Sequence, residues 1–181
     1  MKITSLTGNS TALVEEVAQI VVDGFEGNSW PDLNSALEEV RESLSDDRIS
    51  RVAIDDKGHA LGWIGGIEEY DGHVWELHPL VVKPEVQGRG IGAALIADFE
   101  ACVVDRGGGT VMLGTDDIDN STSLSGVDLY PDVTRHISNI SSLHCHPYEF
   151  YQKQGYVIVG VIPDANGQGK PDILMAKRLE K

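Results

Sequence analysis

Basic residues are scarce in this sequence: 14 Lys and Arg stand against 29 Asp and Glu among 181 residues, a formal net charge of −15. Nucleic acids and anionic membrane surfaces are bound through clusters of Lys and Arg. We therefore expect no nucleic acid and no membrane among the partners. The same charge favours a cationic substrate, although many acidic proteins carry their charge for solubility alone.

Cysteine is equally scarce, and the two present, Cys102 and Cys145, do not have the spacing of metal ligands. We expect both to be reduced thiols, and we expect no bound metal. No apolar run approaches the length of a membrane span, and the opening residues contain no apolar signal core. These features lead us to expect a cytoplasmic protein.

Hydrophobic periodicity predicts a single domain over residues 1–181, of the α/β (α+β) class. The predicted element order is β-α-α-β-β-β-α-β-α-β-β, with a central mixed, mostly antiparallel sheet flanked by helices. The first helix is expected to end near residues 24–27. The second is expected to span residues 36–44, with Asn34 or Ser35 as its cap.

A glycine-rich segment lies between a predicted strand and a predicted amphipathic helix: Gln87-Gly88-Arg89-Gly90-Ile91-Gly92. Glycines let the backbone curl so that several amide N–H groups converge, and the positive end of the following helix dipole adds to them. The segment therefore predicts a phosphate-binding loop. The alternative is a glycine turn that only caps an ordinary helix.

This segment matches neither the dinucleotide fingerprint nor the Walker loop. It matches the (Q/R)-x-x-G-x-(G/A) loop of the GNAT N-acetyltransferases, and together with the element order and Phe150-Tyr151-x-x-x-Gly155-Tyr156 it resembles the GNAT fold over nearly the whole chain. Four blocks are also similar to the chromosomally encoded aminoglycoside 6'-N-acetyltransferases of bacteria: residues 75–82, 113–117, 146–151 and 167–177.

The resemblance implies acetyl-CoA as cosubstrate, with the backbone N–H of Leu80 aimed at the thioester oxygen and Tyr151 as donor to the leaving thiolate. Pro79 has no N–H, so a strand distortion near it is expected to free donors for the pantetheine. Tyr148, three residues before Tyr151, is the alternative donor. The residues implied to hold acetyl-CoA are Leu80, Val81, Val82, Gln87, Gly88, Arg89, Gly90, Ile91 and Gly92.

Glu76 and His78 are two positions apart on a predicted strand, so their side chains point to the same face. An aliphatic ammonium cannot attack a thioester until it loses a proton. We predict that Glu76 binds the attacking amine and accepts its proton, directly or through water, with His78 as the second candidate base. The alternatives are a solvated carboxylate at the strand end and a core histidine bonded to backbone.

Further acidic residues suit a polycationic acceptor, which a negative field would concentrate and hold. Asp116 and Asp117 open a long polar stretch of the kind that is usually functional or mobile. With Glu76 and Glu149 they are predicted to form an acidic cleft, and Trp30 is predicted to form one wall of it. The alternatives are a turn in which aspartates bond the local backbone, and an ordinary packed tryptophan.

The resemblance and the residues leave three functions open, of which the resemblance implies the first. The first is an aminoglycoside 6'-N-acetyltransferase that works by direct transfer in a ternary complex and confers antibiotic resistance. The second is a GNAT enzyme for another cationic amine, such as a polyamine, a small amine or a basic protein. The third is a non-catalytic acyl-CoA-binding module. The resemblance also implies a homodimer paired through C-terminal strands and helices.

Overall fold

The structure, a computed structural model, describes residues 1–25 and 29–180. Within these ranges the strands are β1 (Lys2–Ser5), β2 (Arg48–Ile54), β3 (Ala60–Glu69), β4 (Val74–Val82), β5 (Thr110–Asp116), β6 (Val157–Ile162) and β7 (Asp172–Arg178). The helices are α1 (Thr11–Gly24), α2 (Leu33–Glu42), α3 (Ile91–Asp105), α4 (Val133–Ser138) and α5 (Tyr148–Lys153). The predicted element order is confirmed, with α4 as one additional short helix.

Helix α2, Leu33–Glu42, differs at both ends from the predicted residues 36–44, whereas the end of α1 agrees with the prediction. The cap of α2 is Asp32, not Asn34 or Ser35: the Asp32 carboxylate accepts a bond from the Ser35 N–H at 2.9 Å, and Ser35 completes a capping box. This reciprocal pair starts the helix three residues earlier than its apolar spacing indicates. The first helix ends at Gly24, and the remainder of the predicted end, residues 26 and 27, lies outside the described residues.

The chain divides into two compact units, Met1–Val111 with Leu179–Lys181 and Met112–Arg178. The prediction of one domain over residues 1–181 stays a prediction. In the first unit, strands β1 to β4 pair antiparallel in chain order. In the second unit, β7 lies between β5 and β6, and β6 pairs antiparallel with β7.

The core of the first unit lies between helices α1 and α2 and one face of the sheet. Val14, Val17 and Val21 recur at helical spacing along α1 and are buried with Trp63 and Val81 of the sheet. On the opposite face of the sheet, Phe99 of α3 packs so closely on Gly66 that a Cβ there would overlap its ring.

Strand β4 carries one more residue than its partner β3. Ile64 pairs with Leu80, whereas Gly66 pairs with Leu77, so two steps along β3 match three along β4. The extra residue falls at His78-Pro79, whose peptide bond is cis. This bulge confirms the distortion predicted near Pro79.

None of the helices in residues 1–25 and 29–180 is both long enough and apolar enough to cross a lipid bilayer.

Candidate active site

The predicted phosphate loop is an exposed connection between β4 and α3. Pro84–Val86 form a 3-10 turn, and the Gln87 side-chain amide donates to the Val82 carbonyl at 3.0 Å. Gly88 and Gly90 have φ of +73° and +81°. Residues with a Cβ rarely adopt this left-handed conformation, which is the physical reason for glycine at both positions.

Helix α3 starts at this loop without a side-chain cap. Its first backbone bond runs from the Ala94 N–H to the Gly90 carbonyl at 3.0 Å, and the N–H groups before it have no acceptor within the helix. Among the described residues, nothing lies within 4 Å of a Cβ added at Gly88 or Gly90. Open N–H groups at the positive end of a helix fit a phosphate or pyrophosphate group.

Glu76 and His78 lie on the same face of β4, as predicted. Both are partly exposed, whereas the alternating residues Trp75 and Leu77 are buried. Trp75 faces the C-terminal end of α3, where the Arg106 guanidinium lies 5.1 Å from its ring centroid. In the part of the chain that the structure describes, the Glu76 carboxylate has no hydrogen-bond or ion-pair partner. It is therefore available to a ligand.

Trp30 lies against His78, with ring centroids 5.8 Å apart. The Phe25 ring meets Trp30 edge-on at 5.0 Å, and Trp30 is only 8% exposed. Trp30 is thus a packed tryptophan of the core that also borders His78. Its predicted contact with an acceptor stays a prediction.

Leu80, Val81 and Val82 follow the bulge and pair with Ile64, Trp63 and Gly62 of β3. The predicted roles of their backbone groups toward acetyl-CoA stay predictions. The extra residue at His78-Pro79 changes which residues of β4 point to each face of the sheet. After it, the Val81 side chain lies on the face that packs against α1, in contact with Gly24.

Asp117 is buried, with only 1% of its surface exposed, and organises the loop that follows β5. Its carboxylate accepts bonds from the Ser121 N–H at 2.7 Å, from the Thr122 N–H at 2.9 Å and hydroxyl at 2.6 Å, and from the Ser125 hydroxyl at 2.6 Å. Burial alone would raise the pKa of Asp117, but these bonds outweigh it and hold the pKa below its usual value. Asp117 therefore fits the local-turn alternative.

Replacing Asp117 by Asn should destabilise the protein by about 1–3 kcal/mol at pH 7, because an amide group would face buried donors. The lowered pKa of Asp117 means that its stabilising effect is present above the pKa of the unfolded state, about 3.9, and is lost as the pH falls through the lower folded value. Urea unfolding at pH 7 and below pH 4 should therefore show the difference from wild type shrinking in acid. Asp119→Asn, an exposed neighbour, is the control; equal unfolding of the two variants at pH 7 would contradict this role.

Asp116 is exposed at the end of β5. The Asn166 side-chain amide donates to Asp116 Oδ1, and His146 Nε2 lies 3.1 Å from the Asp116 backbone carbonyl oxygen. His146 Nδ1 accepts the Tyr148 N–H at 3.2 Å, so Nε2 must carry the proton that bonds Asp116. Asp116 is therefore held at both its backbone and its carboxylate.

Tyr151 is partly exposed on α5, with its ring 5.2 Å from Phe150 and 5.8 Å from Tyr156. Desolvation raises the pKa of Tyr151 above its usual value, and a tyrosine phenol is protonated and able to donate at neutral pH even without that shift. Tyr148 is 5% exposed and packs on His146 at 5.5 Å. Its burial favours Tyr151 as the donor. Glu149 is partly exposed in the first turn of α5.

Both cysteines are free thiols, as predicted. Among residues 1–25 and 29–180, no group of three or more His, Cys, Asp or Glu side chains is placed to hold a metal ion.

Sequence reasoning missed three residues that shape these sites: Gly65, His146 and Asn166. The Gly65-Gly66 pair inside an apolar strand is a signal for close approach of a neighbouring backbone. His146 lies in residues 146–151, one of the four blocks of the resemblance, but histidine at that position predicts no particular role. Asn166 carries no signal, because Asp-Ala-Asn-Gly is an ordinary turn sequence.

Comparison with known proteins places the chain in a family. The model of the acetyltransferase (GNAT) family matches residues 14–125. The solved structure of an aminoglycoside 6'-N-acetyltransferase complexed with coenzyme A is 41% identical, with 100% of this chain and 99% of that chain covered and a TM-score of 0.92. The aminoglycoside 6'-N-acetyltransferase from Enterococcus faecium is also 41% identical, with the same coverage and a TM-score of 0.90. An aminoglycoside 6'-acetyltransferase type Ii is 37% identical, again with 100% and 99% covered and a TM-score of 0.76. No curated protein sequence matches the chain.

The chain belongs to the GNAT acetyltransferase family. Its helices and its seven strands, mostly antiparallel, match the GNAT fold, which confirms the predicted fold class. It is therefore an enzyme of the acyltransferase class, as the glycine loop and the four blocks predicted.

Proposed function

We propose that this enzyme transfers the acetyl group of acetyl-CoA to the 6'-amino group of aminoglycosides. The observation that carries the proposal is 41% identity, over 100% of this chain, to an aminoglycoside 6'-N-acetyltransferase complexed with coenzyme A. The geometry agrees with that chemistry. The open start of α3 fits the pyrophosphate of acetyl-CoA, and the Glu76 carboxylate is available to an amine.

The proposed reaction is direct attack in a ternary complex. The neutral amine nitrogen forms a bond to the thioester carbonyl carbon, and the carbon–sulfur bond then breaks to release the CoA thiolate. Glu76 accepts the proton of the amine, directly or through water, with His78 as the second candidate base. The Leu80 N–H stabilises the oxyanion, and Tyr151, whose phenol is protonated at neutral pH, donates to the thiolate.

The acceptor site is proposed to recognise ammonium groups through Glu76, Asp116 and Glu149, with Trp30 as a wall beside His78. The buried Asp117 supports the loop and is left out of direct contact. Carboxylates suit a polycation because charge-assisted hydrogen bonds are stronger than neutral ones.

Free-thiol release from acetyl-CoA tests the assignment, with kanamycin, tobramycin, spermidine and a basic peptide as separate acceptors. We expect rapid turnover with the two aminoglycosides and loss of turnover on an analogue that carries a 6'-hydroxyl group. Turnover confined to spermidine or to the peptide would overturn the aminoglycoside assignment. Coenzyme A binding without turnover on any amine would indicate a non-catalytic module.

Replacing Gly90 by Ala should raise the KM for acetyl-CoA about tenfold or more and leave the KM for the aminoglycoside unchanged. A methyl group at φ +81° strains the loop and intrudes where the backbone is proposed to approach the pyrophosphate. Steady-state kinetics with each substrate varied in turn measures the effect.

Gly58→Ala is the matched control for this variant. Gly58 has φ +88° and, like Gly90, has no described atom within 4 Å of an added Cβ, but it lies in the turn between β2 and β3. Both variants carry similar backbone strain, so equal KM values for acetyl-CoA would show that the loop at Gly90 does not bind the cosubstrate.

We further propose that the enzyme confers aminoglycoside resistance and is located in the cytoplasm. Acetylation of the 6'-amino group would remove a positive charge from the antibiotic, and expression in a susceptible bacterium should raise the inhibitory concentration of tobramycin. Free thiols and the use of acetyl-CoA support the cytoplasmic location.

We also propose that the enzyme is a homodimer. Val157 and Val159 are 60% and 61% exposed on β6, an edge strand of the second unit, and such a face supports pairing with a second copy. Light scattering tests the dimer.

A further inference from the structure

The Asp116 carboxylate is held through one oxygen only. Asn166, in the turn between β6 and β7, donates its side-chain amide to Oδ1. Oδ2 has no hydrogen-bond partner among the described residues, and the side chain is exposed. One oxygen thus fixes the orientation of the carboxylate, and the other is left to accept from a ligand.

The turn that carries Asn166 is itself well ordered. The Asn166 N–H donates to the Lys170 carbonyl at 3.0 Å, and the Lys170 N–H donates to the Gly167 carbonyl at 2.9 Å. The Asp164 carboxylate accepts the Gly169 N–H at 2.6 Å. These bonds fix the backbone of Asn166 without help from Asp116.

The backbone on the other side of the contact is fixed independently. The His146 ring bonds the Asp116 carbonyl at 3.1 Å, and the Asp117 N–H donates to the Pro171 carbonyl at 2.9 Å. Loss of the Asn166 amide would therefore release the Asp116 side chain while its main chain stays in place.

We propose that Asn166 is a positioning residue for acceptor recognition, acting through the orientation of the Asp116 carboxylate. The inference rests on the proposed function, in which Asp116 binds an ammonium group of the acceptor. A carboxylate fixed before binding loses less rotamer freedom when an ammonium group arrives, so it binds that group more tightly than a mobile one. The turn between β6 and β7 would then help to determine acceptor affinity.

The test is a double-mutant cycle with Asn166→Ala, Asp116→Ala and the double variant. Asn166→Ala should raise the KM for tobramycin about two- to tenfold, the effect expected when one mobile side chain must be immobilised on binding. The kcat and the KM for acetyl-CoA should not change. In the Asp116→Ala background, the same substitution should have no further effect on the KM for tobramycin.

Asn139→Ala is the matched control, because the Asn139 amide also donates one exposed hydrogen bond, to the Arg135 carbonyl at 2.8 Å, and lies at the end of α4. Additive effects of the Asn166 and Asp116 variants, or a KM for tobramycin that Asn166→Ala leaves unchanged, would overturn the assignment. Wild-type turnover of spermidine but not tobramycin would contradict only the proposed aminoglycoside function. The cycle is then decided with spermidine, since both acceptors present ammonium groups.

Discussion

Glu76→Gln should lower kcat about 100- to 10,000-fold while the affinity for acetyl-CoA stays close to that of the wild type. Gln keeps the size and polarity of the side chain but cannot accept a proton from the attacking amine. The Glu76 carboxylate has no hydrogen-bond or ion-pair partner in residues 1–25 and 29–180, so its loss should not disturb folding. Thiol release gives kcat, and calorimetric titration gives the affinity for acetyl-CoA.

Two further variants show whether the loss of kcat is specific to Glu76 and which of the two candidate bases accepts the proton. Glu69→Gln, a carboxylate on the neighbouring strand β3, should behave as wild type. His78→Gln separates the two candidate bases: if His78 accepts the proton, that variant loses kcat and Glu76→Gln only raises the KM of the acceptor. An unchanged kcat in Glu76→Gln would remove Glu76 from proton transfer.

Much of this site was accessible from the sequence because its signals are local. A strand, a Lys-Pro break and a run of glycines before an apolar helix predict an anion-binding loop, and the structure has positive φ at Gly88 and Gly90. Period-two spacing placed Glu76 and His78 on one face. Each of these features depends on backbone geometry within about a dozen neighbouring residues.

Other features were not determined by local signals alone. For Asp117 the sequence left two roles open, a carboxylate of the acidic cleft and a turn that bonds the local backbone, and its hydrogen bonds to Ser121 and Thr122 match the second. Asn166 reaches Asp116 across 50 residues of chain. The short helix α4 has six residues, too few for a clear apolar period, and it begins with the Asp132 side chain bonded to the Arg135 N–H.

Replacing Gly65 by Ala should reduce kcat/KM about 100-fold or more and should also lower the free energy of unfolding by about 1–3 kcal/mol. A Cβ at this position would overlap the His78 carbonyl oxygen, which approaches because β4 bulges at His78-Pro79. The overlapping atom belongs to the backbone, so no side-chain rotation relieves it. Strand β4 must move, and Glu76, His78 and the Leu80 N–H move with it.

Two glycine variants separate loss of the bulge from general destabilisation. Gly109→Ala meets no described atom within 4 Å and should resemble wild type in melting and in kinetics. Gly66→Ala would overlap the Phe99 ring, which overpacks the α3 side of the sheet and should lower the melting temperature, while the added Cβ stays at an ordinary contact distance of 3.5 Å from the Glu76 carbonyl oxygen of β4. At a temperature where all variants are folded, Gly66→Ala should retain most of its kcat/KM and Gly65→Ala should not. Equal kcat/KM values for these two variants would mean that the bulge does not position the reacting groups, and that Gly65 serves stability alone.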